Sequence, residues 1–446
     1  MISEDSFGVG SQGVPVGEDR RRLVLVVRAD PVICGHSVEA RNLAEVALSR
    51  GFTEVRIISW PIDRLQQAGL PLKPLDTVMP YSPGIEVERP GPVGDYRVPD
   101  GRYLAGLTGR LVELFTDGVP TVAMSLYLSP HTDAVVDARR VALSTGLPVD
   151  VTTIAEAVGS DITNVVRTCL AEGRFGAAAA VLGTYLENDL CVAVSTYTRD
   201  LIISSATEID ERHGTRFAEQ CRRRVSISYP AVDAASYLDL DRDRMAEVLA
   251  SRGIERDGYV LFLSRLARAK GVDDLITGFA ASAAHERLRL VIIGDGPDAE
   301  RLHEVAASSG VAHRITFFDD VDDVDKPYLM GGCAAYVLPS KPRPEFVETF
   351  GIALVEKMLA GGGPVITCDT GGIGEAVGDH AIMVPTEDPA AIAAALDHAL
   401  SMTEPERVEL EHRARDHAMQ FDRALIFDRL LGQVHELRHR DTRIPA

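Results

Sequence analysis

Lysine is scarce in this 446-residue chain: five of its 46 basic residues are lysines, Lys73, Lys270, Lys326, Lys341 and Lys357. A lysine that falls inside a motif is therefore more informative than usual. Six cysteines stand singly at Cys34, Cys169, Cys191, Cys221, Cys333 and Cys368, with no C-x-x-C pair and no histidine at metal-ligand spacing. That pattern argues against a disulfide framework and a zinc site. No apolar run approaches the roughly 20 residues that span a bilayer. The opening MISEDSFGVGSQGVPVGEDRRR has acids and glycines where a secretion signal has an apolar stretch. The expectation is a cytoplasmic protein without integral membrane contact. Positive charge is also lacking: 66 acids against 46 bases leave a formal net charge of −20. Nucleic acid is excluded as a partner, because phosphate-backbone binding relies on clustered cations, and an anionic membrane surface is disfavoured for the same reason. There is no P-loop GK[ST], and GDGPDAE lacks the third glycine of a dinucleotide fingerprint. FFDDVDDVDKP lacks the glycine and closing glutamate of a calcium loop, so neither a metal nor a cofactor is assigned.

What is present is a long alternation of strands and helices. A chain of this length exceeds what one core usually organises, so two domains are expected. LVLVVRADP, the helical stretch to Gly51 and EVRIISW open a doubly wound α/β unit. About Pro61 to Asp100 reads as loops and short pieces; TVAMSLY, PVDVTTIA and LCVAVS follow as strands. After a polar connector, YVLFLSRL begins a second unit that continues through LRLVIIGDG, ITFF, AAYVLPS and PVITCD. The expected division is a flexible tail over 1–20, a Rossmann-like domain over 21–240, a second over 241–414, and a C-terminal helix over 415–446 that packs back on the first domain.

Two such domains facing each other place the carboxyl ends of both sheets toward one cleft. In the second domain the strand YVLFLS runs into Arg265, with Lys270 and Gly271 before the next helix. Cations at that turn suit a diphosphate, Arg as a planar fork and Lys as a point charge; taken alone they read equally well as surface charges. In PSKPRPEFVETFGIALVEKMLAG, Glu348 falls on a loop and Glu356 inside the following helix. At about 1.5 Å per residue the helix advances roughly 7–8 Å from Gly351 to Glu356, a span that suits sugar and ribose on either side of phosphates held by the helix N-terminus. A capping acid plus a surface acid would explain two glutamates. It would not explain the Gly361-Gly362-Gly363-Pro364 turn, PVITCD and the Gly371-Gly372 pair before Glu375.

This segment resembles the donor site of retaining glycosyltransferases of the GT-B fold, family 4 type. Glu348 and Glu356 match the family's two glutamates with seven residues between them, Arg265 and Lys270 in SRLARAKG match its phosphate-binding pair, and VIIGDGP, PSKPRPE and TGGIGE follow in order. The resemblance spans the second domain well and the first loosely, through Cys34-Gly35-His36 and CVAVSTYTRDLI. It implies two facing Rossmann-like domains and a nucleotide-sugar donor, UDP- or GDP-linked. It also implies that Glu348 holds donor-sugar hydroxyls, Glu356 holds ribose hydroxyls, and Arg265 with Lys270 stabilises the leaving diphosphate. Gly35, Gly294, Phe318, Thr349, Phe350, Gly351 and Ile352 would line the donor, with the base near Phe317 and Phe318. In the first domain this chain departs from the family's T-x-H phrase: VDVTTIAEAVGSD puts Ala155 or Glu156 near that place, and His36 or His131 is the stand-in. The acceptor is expected to be a small soluble molecule such as an aminocyclitol or another natural-product intermediate. A GT-B epimerase or phosphorylase and a non-catalytic nucleotide-sugar binder stay open, as do monomer and homodimer.

Overall fold

A computed structural model describes residues 20–94, 100–344 and 346–441. The tail expected over 1–20 lies, apart from Arg20, outside the described residues, as do Glu345 and the last five positions of the expected C-terminal helix.

Two parallel sheets organise the chain. The first contains β1 (Arg22–Val26), β2 (Glu54–Ile58), β3 (Ile85–Glu88), β4 (Thr121–Leu126), β5 (Val151–Ala157), β6 (Leu190–Ala193) and β7 (Val225–Ile227), in the order β3-β2-β1-β4-β5-β6-β7. The second contains β8 (Tyr259–Leu263), β9 (Arg289–Ile293), β10 (Ile315–Phe318), β11 (Ala335–Leu338), β12 (Val365–Cys368) and β13 (Ile382–Val384), in the order β10-β9-β8-β11-β12-β13. Every pairing is parallel; β1, for example, aligns Leu23 with both Val55 of β2 and Val122 of β4. The central strands are predominantly apolar because helices cover both faces: every residue of β1, β4, β11 and β12 is buried. The expected pair of Rossmann-like domains is therefore observed.

The structure adds detail to the sequence reading in three places. The Pro- and Gly-rich stretch from Pro61 contains the helix Ile62–Gln67 and the edge strand β3. Only Ile85 of β3 is buried, so its pattern is that of a half-solvated edge. The polar connector before Tyr259 is a helix, Arg242–Ser251, capped by the Asp241 carboxylate accepting from Arg244 N–H at 2.7 Å, with Met245, Val248 and Leu249 turned inward. The C-terminal helix expected over 415–446 is broken: Glu404–Ala418 and Arg423–Asp441 are separated by a tight turn at Met419–Phe421. That break sorts its apolar residues. Phe421 lies in the core of the second domain, whereas Ile426, Phe427, Leu430 and Val434 pack with Leu23, Leu43 and Val55 of the first. Asp428 accepts from Arg50 at 2.7 Å on the same face.

Candidate functional site

In an open parallel sheet, a crevice forms outside the carboxyl ends of the strands where the strand order reverses. Here the reversals lie between β1 and β4 in one sheet and between β8 and β11 in the other. The segments leaving β8 and β11 carry Arg265, Lys270 and Glu348; those leaving β1 and β4 carry Gly35, His36 and His131.

Lys270 closes the short turn Arg268–Lys270 and is 8% exposed. Its ammonium donates to the Glu348 carboxylate and lies 4.9 Å from the centre of the Phe346 ring. Glu348 stands on the loop from β11 into the helix Ile352–Ala360. Gly351 makes the entry at φ +99°, where a Cβ would also come within 2.9 Å of Leu354 Cδ1, so only glycine turns the chain here without strain. The helix thus presents its N-terminal N–H groups and positive dipole end beside Glu348 and Lys270, an arrangement that accepts an anion. Arg265 is exposed and has no ion pair among the described residues.

Glu356 is buried inside the same helix and accepts from Lys326 Nζ at 2.8 Å. Burial pulls the Lys326 ammonium down, but the Glu356 and Asp323 charges outweigh it and hold it above its ordinary value. Gly294, after β9, donates its N–H to Phe318 O at 2.9 Å. The Phe318 ring is covered by the Arg252 guanidinium at 5.2 Å, and Phe317 is tilted against His303 at 4.0 Å.

The first domain contributes a second group. His36, half-buried on the first turn of the helix Gly35–Leu48, lies 6.0 Å from the Tyr127 ring, which in turn lies 6.0 Å from His131; Arg28 covers Tyr127 at 5.0 Å. Burial and the Arg28 charge lower the His36 pKa, and the same causes push His131 down to about 3. His131 is 2% exposed and neither ring nitrogen has a partner. Glu156, on β5, is fully buried and meets no donor. It interacts with the carboxyl of Glu39, and a hydrogen bond between the two requires a proton. Burial pushes Glu39 up to about 7, and burial with the Glu39 charge raises Glu156 well above the carboxylate range. Asp161 beside them is different. It accepts from the N–H groups of Leu128, Val158, Gly159 and Ile162 at 2.9–3.2 Å and so organises its loop.

The two groups meet across the cleft. A Cβ on Gly35 would lie 3.2 Å from Ile352 Cδ1, and one on Gly159 would lie 2.1 Å from Thr349 Cγ2. Lys73 donates to Asp323 at 2.5 Å along the same seam. The structure thus brings Lys270, Glu348, Thr349, Phe350, Gly351 and Ile352 together with Gly35, while Glu356 lies deeper with Lys326. His36 lies at the mouth of the first-domain group, with His131 and Glu156 buried behind it. Sequence reasoning missed Lys326, Glu39 and Tyr127. Lys326 had a signal, as one of five lysines. Glu39 had a weaker one, an acid three residues after His36 on the turn that enters a buried helix.

The glycosyl transferases group 1 family matches residues 246–417. A GDP-mannose-dependent alpha-(1-6)-phosphatidylinositol monomannoside mannosyltransferase of Mycobacterium tuberculosis is 29% identical over 193 residues, which is 42% of this chain and 46% of that protein. An alpha-D-kanosaminyltransferase of Streptomyces kanamyceticus is 26% identical over 248 residues, 51% of this chain and 63% of that protein. The chain spans about half the length of the curated relatives it matches. Among solved structures, Anabaena HepE in complex with UDP and glucose superposes with a TM-score of 0.67 at 18% identity, covering 94% of this chain and 100% of that one. The sucrose-phosphate synthase of Thermosynechococcus elongatus gives 0.65 at 18% identity, with 94% and 100% covered. These likenesses give the fold, GT-B.

Proposed function

We propose, from the match of residues 246–417 to the glycosyl transferases group 1 family, that the whole protein is a retaining glycosyltransferase. It moves a hexose-type unit from a UDP- or GDP-sugar to a small soluble acceptor such as an aminocyclitol or another natural-product intermediate. The observation that carries the reading is the Lys270–Glu348 pair set beside the N-terminus of the helix Ile352–Ala360, at the strand reversal of the second sheet. As the glycosidic bond breaks toward an oxocarbenium-like state, negative charge grows on the leaving diphosphate. Lys270, Arg265 and the helix N–H groups stabilise that charge more than they stabilise the ground state, which is what accelerates the step. Glu348 holds hydroxyls of the sugar and Glu356 those of the ribose. A UDP-sugar donor agrees with the ligand of the Anabaena neighbour, a GDP-sugar donor with the mycobacterial relative, and an amino-sugar product with the kanosaminyltransferase. The acceptor enters on the first-domain side, past His36, toward His131 and Glu156.

The test is transfer from UDP- and GDP-sugars to a panel of cyclitols and aminocyclitols, with the anomeric configuration read by NMR. Glu348→Gln is expected to reduce kcat by about 100-fold or more, as removal of a group acting on the transition state does, and Lys270→Ala to do the same, both with unchanged circular dichroism. Near-normal turnover in either variant defeats the site assignment. Inverted product, or donor consumption that needs no acceptor, defeats the reaction type.

A further inference from the structure

We propose that Glu375 is a positioning residue that ties the donor loop of the second domain to the first domain. The inference rests on the function proposed above and goes beyond it. Glu375 stands on the short helix Ile373–Val377, yet its carboxylate is used by the other domain. It accepts from the backbone N–H groups of Thr196 at 2.9 Å and Tyr197 at 3.2 Å and from the Tyr229 hydroxyl at 3.1 Å. Thr196 and Tyr197 open the 18-residue helix Thr196–His213. The first N–H groups of a helix have no partner within it and favour a negative charge. Ser195 satisfies the third position by accepting from Thr198 N–H at 3.1 Å. The first two are satisfied from across the domain boundary.

The same few residues hold the loop that carries Glu348. Gly371 and Gly372 pass so close to it that a Cβ on the first would lie 1.9 Å from Glu348 O and one on the second 2.0 Å from Thr349 O; Gly372 N–H donates to Glu348 O at 2.9 Å. Tyr229 closes the circuit, with its hydroxyl on Glu375 and its ring 5.5 Å from that of Phe350. Glu375 therefore joins three things: the start of a first-domain helix, Tyr229, and the turn on which the backbone of Glu348 and Thr349 rests. When the two sheets face each other as observed, these hydrogen bonds fix the loop. The Glu375 carboxylate is engaged by Thr196, Tyr197 and Tyr229, and its effect passes through residues 348–350.

The experiment compares wild type, Glu375→Gln, Glu375→Asp and Tyr229→Phe in the full-length chain. The glutamine offers one oxygen and turns an amide N–H₂ toward the other donors, so the two helix N–H groups are no longer both satisfied. For Glu375→Gln, kcat is expected to fall by about 10- to 100-fold, the scale of a lost charge-assisted hydrogen bond, while the Kd for UDP or GDP stays within about threefold because the nucleotide is held by the second domain. Glu375→Asp recovers part of the loss, and Tyr229→Phe, which removes one bond of three, loses less than the glutamine. Amide hydrogen exchange, which does not depend on turnover, is expected to rise at Thr196–Tyr197 and at Thr349–Gly351 in Glu375→Gln. Exchange at Thr349–Gly351 equal to wild type, or kcat within twofold of it, overturns the proposal even if the melting temperature falls. If wild type binds and consumes no nucleotide-sugar, the functional reading fails and the exchange result still decides whether Glu375 orders the loop.

Discussion

Replacing Glu156 by glutamine should make the protein more stable relative to wild type as the pH rises, which is the reverse of the usual effect of removing a buried charged residue's partner. Glu39 and Glu156 are both buried and interact, and burial pushes Glu39 from 4.5 up to about 7. A carboxyl whose pKa is higher folded than unfolded contributes stability that is complete below the unfolded value and is lost as the pH climbs through the folded one. At about 1.4 kcal/mol per pH unit, the rise of Glu39 alone corresponds to about 3 kcal/mol lost between pH 4.5 and 7. In Glu156→Gln the amide donates to an ionised Glu39, and the second titrating carboxyl is gone. His131, pushed down to about 3, titrates in the opposite sense, costing stability as the pH falls from 6.5. That term is common to both proteins, so the readout is the difference between them. The burial of Glu39 is common to both proteins, so urea unfolding monitored at intervals from pH 4.5 to 8 is expected to show Glu156→Gln gaining on wild type as the pH rises, because Glu156, held well above the carboxylate range, no longer titrates. A difference independent of pH refutes a shared proton in this pair.

Three further outcomes follow from the geometry. Gly351→Ala forces a side chain into a left-handed backbone at φ +99° and against Leu354, so it should cost about 1–3 kcal/mol in denaturant titration and misplace the helix N-terminus. Phe427→Ala empties a 3%-exposed site edge-on to Phe52 in the first-domain core and should cost about 3–5 kcal/mol, although residue 427 lies more than 180 positions after the first domain's last strand. Lys326→Met leaves the buried Glu356 carboxylate without its cation; calorimetric titration should show nucleoside diphosphate binding weakened by about tenfold or more.

Strand and helix alternation made both sheets legible because the central strands are buried on both faces and so read as predominantly apolar runs. β3 escaped because an edge strand buries one side, and the helix Arg242–Ser251 escaped because seven of its ten residues lie outside the core and only its cap announces it. The spacing of Glu348, Gly351 and Glu356 was readable as a loop and a helix entry. What each carboxylate touches was not. Lys326 comes from a different helix, Lys326–Gly331, and meets Glu356 through tertiary packing alone. The Glu39–Glu156 pair joins a helix and a strand more than a hundred residues apart, and the tie from Glu375 to Thr196 spans the two domains. In the sequence, Glu375 is only the acid that closes TGGIGE, since contacts between elements of different domains leave no periodicity to detect.

The central claim is that Lys270 and the helix Ile352–Ala360 receive the diphosphate of a nucleotide-sugar. Calorimetric titration of wild type and Lys270→Ala with UDP, GDP, ADP and dTDP tests it most directly. UDP or GDP is expected to bind wild type with a Kd on the order of micromolar and Lys270→Ala about tenfold or more weakly, the scale of one charge-assisted phosphate contact. Wild type binding none of the four, or Lys270→Ala binding as tightly as wild type, would contradict the account.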